Sequence, residues 1–199
     1  MNDSTPSRER LVRWPHKPLR GLLKSFSIPA LLVVAFLLSA PSMPWLAIGL
    51  VFVILGEGAR IWSAGHLVRN ERLATGGPYA YTRNPMYLGR MLLIIGISGL
   101  VGGIVGIALL IVGLGYFLFA YMPRKETKEP ERLAEAFGEE YWEYNRSVPP
   151  LLPRLTPYPK ATGRWSWRVF LGNREQLTVI FVTAYVVAVV VKWWLGLAT

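Results

Sequence analysis

Glu71-Arg72-Leu73-Ala74-Thr75-Gly76-Gly77-Pro78-Tyr79-Ala80-Tyr81-Thr82-Arg83-Asn84-Pro85-Met86-Tyr87 is polar, punctuated by Gly and Pro, rich in tyrosine, and set between long apolar runs. Gly76, Gly77 and Pro78 end any helix that precedes them. Pro85 pushes Asn84 out of the helical region and suits the first turn of a new helix at Met86. The stretch reads as a short, shaped loop at a membrane boundary that opens a helix. The free N–H groups and positive dipole end of that helix suit a polar or anionic ligand group. On spacing alone, an ordinary reverse loop between two membrane helices fits equally well.

The flanking composition sets the class. Of 199 residues, 52% are hydrophobic and the mean hydropathy is +0.33. Several runs approach or exceed the roughly 18 apolar residues that span a bilayer. The expectation is an all-α, polytopic membrane helix bundle of about five transmembrane helices, one domain by length. The formal charge is +10, but the basic residues flank apolar spans. Anionic lipid headgroups and positive-inside topology account for that better than nucleic acid, which is not expected as a partner. The chain has no cysteine, which excludes disulfides, thiolate metal sites, palmitoylation and a C-terminal prenylation box. No metal site is expected. The N-terminus lacks the short basic start and small-residue cleavage site of a signal peptide.

Outward from the loop, the spans are expected near Phe26–Ala40, Trp45–Gly65, Met86–Leu100, Ile104–Met122 and Leu177–Leu195. The run between the third and fourth is split at Gly99-Leu100-Val101-Gly102-Gly103, because one helix of that length would far exceed the bilayer core. Glu57 and Arg60 share one face of the second span. They are either a packing ion pair or substrate-binding groups that face a cavity. Residues 131–145 read as an amphipathic helix with Leu133, Phe137, Tyr141 and Tyr144 on one face and Pro130 at its start. Val148-Pro149-Pro150-Leu151-Leu152-Pro153 must be extended. Trp165, Trp167 and Phe170 among Lys160, Arg164, Arg168 and Arg174 have the chemistry of an interfacial anchor, with a substrate contact at Asn173-Arg174-Glu175 as the alternative. Lys192 is read as snorkelling outward.

Three polar stretches, namely the N-terminal tail, the loop before the third span (counting Arg60 near the end of the second span with it) and residues 123–176, hold every Lys and Arg except Arg90 and Lys192. The positive-inside rule then places the N-terminus and both polar blocks in the cytoplasm and the C-terminus outside. The expected organisation is a basic tail (1–24), a membrane core (25–153), and an interfacial segment with a last transmembrane helix (154–199).

Gly77-Pro78-Tyr79 followed by Arg83-Asn84-Pro85-Met86-Tyr87 resembles the G-P-Y-x-x-x-R-H-P-x-Y signature of the isoprenylcysteine carboxyl methyltransferase and phospholipid methyltransferase superfamily. Glu129, Leu133, Phe137, Gly138, Tyr141, Tyr144, Val148, Pro149, Leu152 and Pro153 match that family's second pattern in register. The resemblance covers roughly residues 45–153. It departs at Asn84, where the family usually has His, and at Pro130, which replaces a second Glu.

The resemblance implies an S-adenosyl-L-methionine-dependent methyltransferase acting on a membrane-embedded, lipid or isoprenoid-type substrate. Carried over by position, cofactor contacts fall on Glu71, Arg72, Leu73, Ala74, Tyr79, Asn84, Pro85, Met86, Tyr87 and Glu129. Glu129, Lys125 and Arg124 become the candidate catalytic residues, Lys125 standing where the prenylcysteine enzymes bind a substrate carboxylate through Arg. Lys lacks the bidentate fork of Arg, and Asn cannot titrate as His does. An amine acceptor would need Glu57, Glu129 or His66 as proton acceptor; His66 is otherwise an ordinary interfacial histidine. The alternative is a same-fold membrane protein without methyltransferase activity, an isomerase or a small-ligand or haem binder. His66 is the only histidine near the site, which disfavours bis-histidine haem. A transporter or purely structural role fits poorly with so few polar residues inside the spans.

Overall fold

Apolar runs interrupted by Gly and Pro fold here as helices joined by short connections. The computed structural model describes residues 20–68 and 72–197, with side chains from residue 29 onward except at 128. Glu71 and the first part of the basic tail lie outside the described residues. The chain divides into two units, residues 1–34 and 35–199. The described part of the first is most of helix α1 (Arg20–Leu37), which starts earlier than expected and carries Pro29 within it.

The second unit holds α2 (Met43–His66), a 3-10 turn (Gly77–Ala80), α3 (Pro85–Val101), α4 (Gly103–Tyr116), a π turn (Phe117–Tyr121), α5 (Met122–Ser147), α6 (Trp167–Gly172) and α7 (Glu175–Trp194). Among the described residues the only β feature is an isolated bridge between Ala40 and Gly102. By length and composition, α2, the continuous helical path from Gly103 to Ser147, and α7 are long and apolar enough to cross a membrane. The apolar α3, with 17 residues, is shorter. The α3–α4 hairpin turns at Gly102, as its glycines predict, where φ of 66° is a conformation that favours glycine.

The path from α4 into α5 departs from expectation. Residues 122–130 are helical, so Pro130 lies inside α5 and not at its start. Pro123 lacks the N–H that would bond to the carbonyl of Phe119. The chain opens into the π turn Phe117–Tyr121 just before it, and so continues without breaking. The amphipathic pattern itself holds. Tyr141 and Tyr144 are buried with Leu73, Ala80, Val148 and Tyr158, and Leu133 and Phe137 pack against them. Burying each of these large side chains is worth about 1.5–3 kcal/mol in water. Gly138 bends α5 at φ 56°, ψ −130°; a Cβ there would meet open space, so backbone conformation and not crowding demands glycine.

Within the spans, close approach replaces hydrophobic drive. Gly49 lies opposite Gly96, and Gly56 opposite Gly89. A Cβ on Gly49 would fall 2.8 Å from the Gly96 carbonyl oxygen, and one on Gly56 would fall 2.9 Å from that of Gly89. Backbones of α2 and α3 therefore touch, and α7 packs beside them through Val189 against Leu46, Val53, Leu93 and Leu100. Lys192 does not snorkel outward. Its ammonium donates to the carbonyls of Phe36, Leu37 and Ser39 at 2.9, 3.0 and 3.0 Å and closes the C-terminal end of α1.

Candidate active site

The Pro-rich stretch after α5 cannot be helical, so its carbonyls are free to accept. The loop before α3 has donors to spare. The two meet. Arg83 N–H donates to Pro149 at 2.9 Å, the Thr82 hydroxyl to Leu151 at 3.1 Å, and the Asn84 amide to Pro150 at 3.0 Å. In return Arg154 N–H bonds to Tyr81 O and Tyr158 N–H to Ala80 O, both at 2.9 Å. The Tyr144 hydroxyl, buried, donates to Tyr79 O at 2.7 Å. Burial holds that hydroxyl's pKa well above the ordinary tyrosine range, with the positive charge of Arg83 opposing the shift. Further along, Thr162 N–H reaches Thr75 Oγ1, and Trp165 inserts against Gly65 with its indole N–H on Ile61 O.

On the other side of α3's first turn, the Tyr87 hydroxyl donates to Glu129 Oε2 at 2.9 Å, joining positions 42 residues apart. The Tyr87 ring meets Tyr121 of the π turn edge-on at 5.7 Å, and Tyr121 stacks on Phe117. The Arg90 guanidinium lies 4.9 Å from the Tyr121 ring centre and 6.0 Å from that of Tyr87. The Arg83 Nε is buried without a hydrogen-bond partner. A pocket of about 260 Å³ lies elsewhere, between α2, the loop and the Pro-rich segment, lined by Ala59, Trp62, Pro78, Tyr81, Pro85 and Pro153 among others; Tyr87, Glu129, Tyr121 and Arg90 do not line it.

The residues expected at the site divide by role. Tyr87 and Glu129 come together. Asn84 and Tyr79 serve the loop's ties, by side chain and by carbonyl. Pro85 is fully buried at the start of α3, Leu73 is in the Tyr141–Tyr144 cluster, Ala74 and Met86 are half-buried, and Arg72 is exposed. Arg124 and Lys125 are exposed on α5. Glu57 and Arg60 are buried on a different side of α3, where Gly89 meets the Arg60 side chain. Gly89 and Tyr87 project about 160° apart around a helix. Arg60 pairs with Glu175 of α7 and also reaches Thr178, while both Glu57 carboxylate oxygens are buried without partners. Asn173 donates to the carbonyls of Ala64 and Leu67 at 2.9 and 2.8 Å, capping α2. Thus Asn173 and Glu175 brace α2. Three groups at the site were missed: Arg83, which the first motif already contained, Arg90, whose signal was a charge inside an apolar span, and Tyr121, for which the sequence offered none.

Together these features define a helix-bundle membrane protein with a polar, tyrosine-rich site where its helices leave the apolar region. The chain belongs to the phospholipid methyltransferase family, whose profile matches residues 39–140. Among curated proteins it is similar to the cobalt-zinc-cadmium resistance protein CzcN of Cupriavidus metallidurans, 31% identical over 134 residues, covering 66% of this chain and 58% of that protein. It is similar to the human protein-S-isoprenylcysteine O-methyltransferase, 36% identical over 124 residues, covering 55% of this chain and 42% of the relative. The Schizosaccharomyces pombe protein of the same name is 32% identical over 99 residues, covering 46% and 40%. The chain thus spans roughly two fifths to three fifths of the length of these relatives. No solved structure matches it. The apolar helices and the family together make it an integral membrane protein.

Proposed function

We propose that the chain transfers a methyl group from S-adenosyl-L-methionine to a membrane-embedded, lipid-like acceptor, at a site formed by α3's first turn, the loop before it and the start of α5. The observation that carries this reading is the Tyr87–Glu129 hydrogen bond, which brings the two family motifs to one place. The residues present suit the donor. Glu129 is a half-buried carboxylate for a cationic centre, the Tyr87 ring beside it can pack on a sulfonium or an adenine, and the Arg83 Nε is a buried donor lacking an acceptor. When bound, the donor supplies an electrophilic methyl group. The chain's own task is to align and to exclude water.

In this assignment the Tyr87 hydroxyl fixes the Glu129 carboxylate, and the ties from Asn84 and Tyr144 hold the loop against the Pro-rich segment. The remaining contacts from Glu71, Arg72, Leu73 and Ala74 carry over by position in the motif. Five spans, a cytoplasmic N-terminus and site, an outer C-terminus, and a core at 25–153 braced by 154–199 complete the proposal.

The test is calorimetric titration of S-adenosylmethionine and S-adenosylhomocysteine into detergent-purified protein, followed by labelled-methyl transfer to a lipid extract. Tyr87→Phe, which deletes one charge-assisted hydrogen bond, is expected to weaken binding about tenfold or more. Glu129→Gln is expected to weaken it further. Folded wild-type protein that binds neither compound overturns the reading.

A further inference from the structure

We propose that Arg90, cradled by the rings of Tyr87 and Tyr121, holds the anionic group (carboxylate or phosphate) of the lipid-like acceptor; this rests on the methyl-transfer reading above. Arg90 sits in the second turn of apolar α3. A guanidinium within an apolar membrane helix is costly, so one that is kept there is ordinarily paired or functional. Among the described residues, however, Arg90 makes no hydrogen bond, and the salt bridges join Arg60 to Glu175, Arg146 to Glu139 and Lys160 to Glu143. Its contacts are two aromatic faces, at 4.9 and 6.0 Å.

Ring faces hold a planar guanidinium from the side and leave its N–H edge free, which is the edge that a carboxylate or phosphate takes by two parallel bonds. The cradle is built for this. The π turn that accommodates Pro123 carries Tyr121, and Phe117 backs its ring. Tyr87 is shared between two opposite charges, its hydroxyl on Glu129 and its ring facing Arg90. A cationic methyl donor near Glu129 and an anionic acceptor group near Arg90 would then border the hydroxyl and the ring of one side chain. Arg124 and Lys125, the basic residues expected to hold an acceptor carboxylate, are exposed on α5. A phosphate of the surrounding leaflet has the same chemistry as the acceptor's anion, so the test separates the two sources.

Oleate and its uncharged counterpart oleamide are titrated into the whole protein in uncharged maltoside micelles, with wild type, Arg90→Gln and Arg90→Lys compared. Elution volume and thermal transition establish that each variant is folded. Wild type is expected to prefer oleate about tenfold, the energy of one charge-assisted interaction. Arg90→Gln is expected to lose the preference, and Arg90→Lys, which keeps charge but not the planar fork, to retain part of it. The titration is repeated in phosphatidylcholine nanodiscs with and without phosphatidylglycerol. A preference that survives phosphatidylglycerol supports the acceptor's anion, and one erased by it reassigns Arg90 to leaflet phosphate and overturns the proposal. Equal preference in wild type and Arg90→Gln, or none in wild type, also overturns it. An Arg90-dependent preference in protein that fails to bind S-adenosylmethionine overturns the methyl-donor reading instead and leaves the anion site standing.

Discussion

Asn84 occupies the position where the family pattern has His, and its side chain is a donor: the amide reaches the Pro150 carbonyl at 3.0 Å across 66 residues of sequence. Three substitutions separate donation from charge and from bulk. Asn84→Ala removes one neutral hydrogen bond at a half-buried position, worth about 1 kcal/mol. That corresponds to roughly a fivefold rise in the population of loops detached from the Pro-rich segment, and to a loss of cofactor affinity of up to that factor. Asn84→Asp keeps the shape but sets a carboxylate against a carbonyl oxygen, so a charge is left half-buried and unpaired. Its cost is about 2–3 kcal/mol, roughly 30- to 150-fold. Asn84→His can still donate, and it introduces a group that titrates near pH 6.5 where the native chain has none. The assay pairs S-adenosylhomocysteine titration with hydrogen exchange over residues 79–87 and 149–158. The expected order of both affinity and protection at neutral pH is Asn, then His and Ala, then Asp, with an added pH dependence at about pH 6.5 only in the His variant. Asp and Ala variants that match each other, or loop protection untouched by all three, would refute the idea that this position works as a donor clamp.

Two further outcomes follow from packing and from burial. Gly49→Ala places a methyl group 2.8 Å from two backbone atoms of α3 and is expected to destabilise the bundle by about 1–3 kcal/mol, while Gly58→Ala meets open space and is expected to be neutral or stabilising by up to about 1 kcal/mol; equilibrium unfolding in mixed micelles reads the opposite signs, and equal effects contradict the backbone contact. Because burial raises the Tyr144 pKa above its unfolded value near 10, its contribution is full below about pH 10 and is lost as the pH rises from there through the folded value. Thermal stability should therefore fall above about pH 10, and Tyr144→Phe should flatten that fall while lowering stability at neutral pH by about 1 kcal/mol through the lost bond to Tyr79.

What the sequence disclosed was local. Apolar runs and Gly/Pro punctuation located the helices, the turn at Gly102 and the loop before α3, because each depends on residues within a few positions of one another. The 4-4-3 spacing of Leu133, Phe137, Tyr141 and Tyr144 located a buried face for the same reason. The pattern match also brought Tyr87 and Glu129 to one site. The rest depended on distant partners. Nothing in Asn173 announces that its amide will cap a helix ending more than 100 residues earlier, nor in Glu175 that it will pair with Arg60. Lys192 had an obvious exit to solvent and takes the carbonyls at the end of α1 instead. Pro130 defeated a sound local rule: the helix it should have started was already running from Met122, relieved upstream by the π turn.

The same separation explains how the site is held. α3's first turn is gripped on one side by carbonyls of a segment too rich in proline to satisfy them internally, and on the other by Glu129 on the helix that the π turn redirects. The two grips share no hydrogen-bond partner. The first is uncharged and mostly backbone, so it sets where the loop lies. The second carries the carboxylate and, through Tyr87, borders the guanidinium of Arg90, so it sets which charges the site presents. Position and charge are thus assigned to different parts of the chain. Asn84 can stand in for His in the first of these tasks because a donor is all that the contact with Pro150 requires.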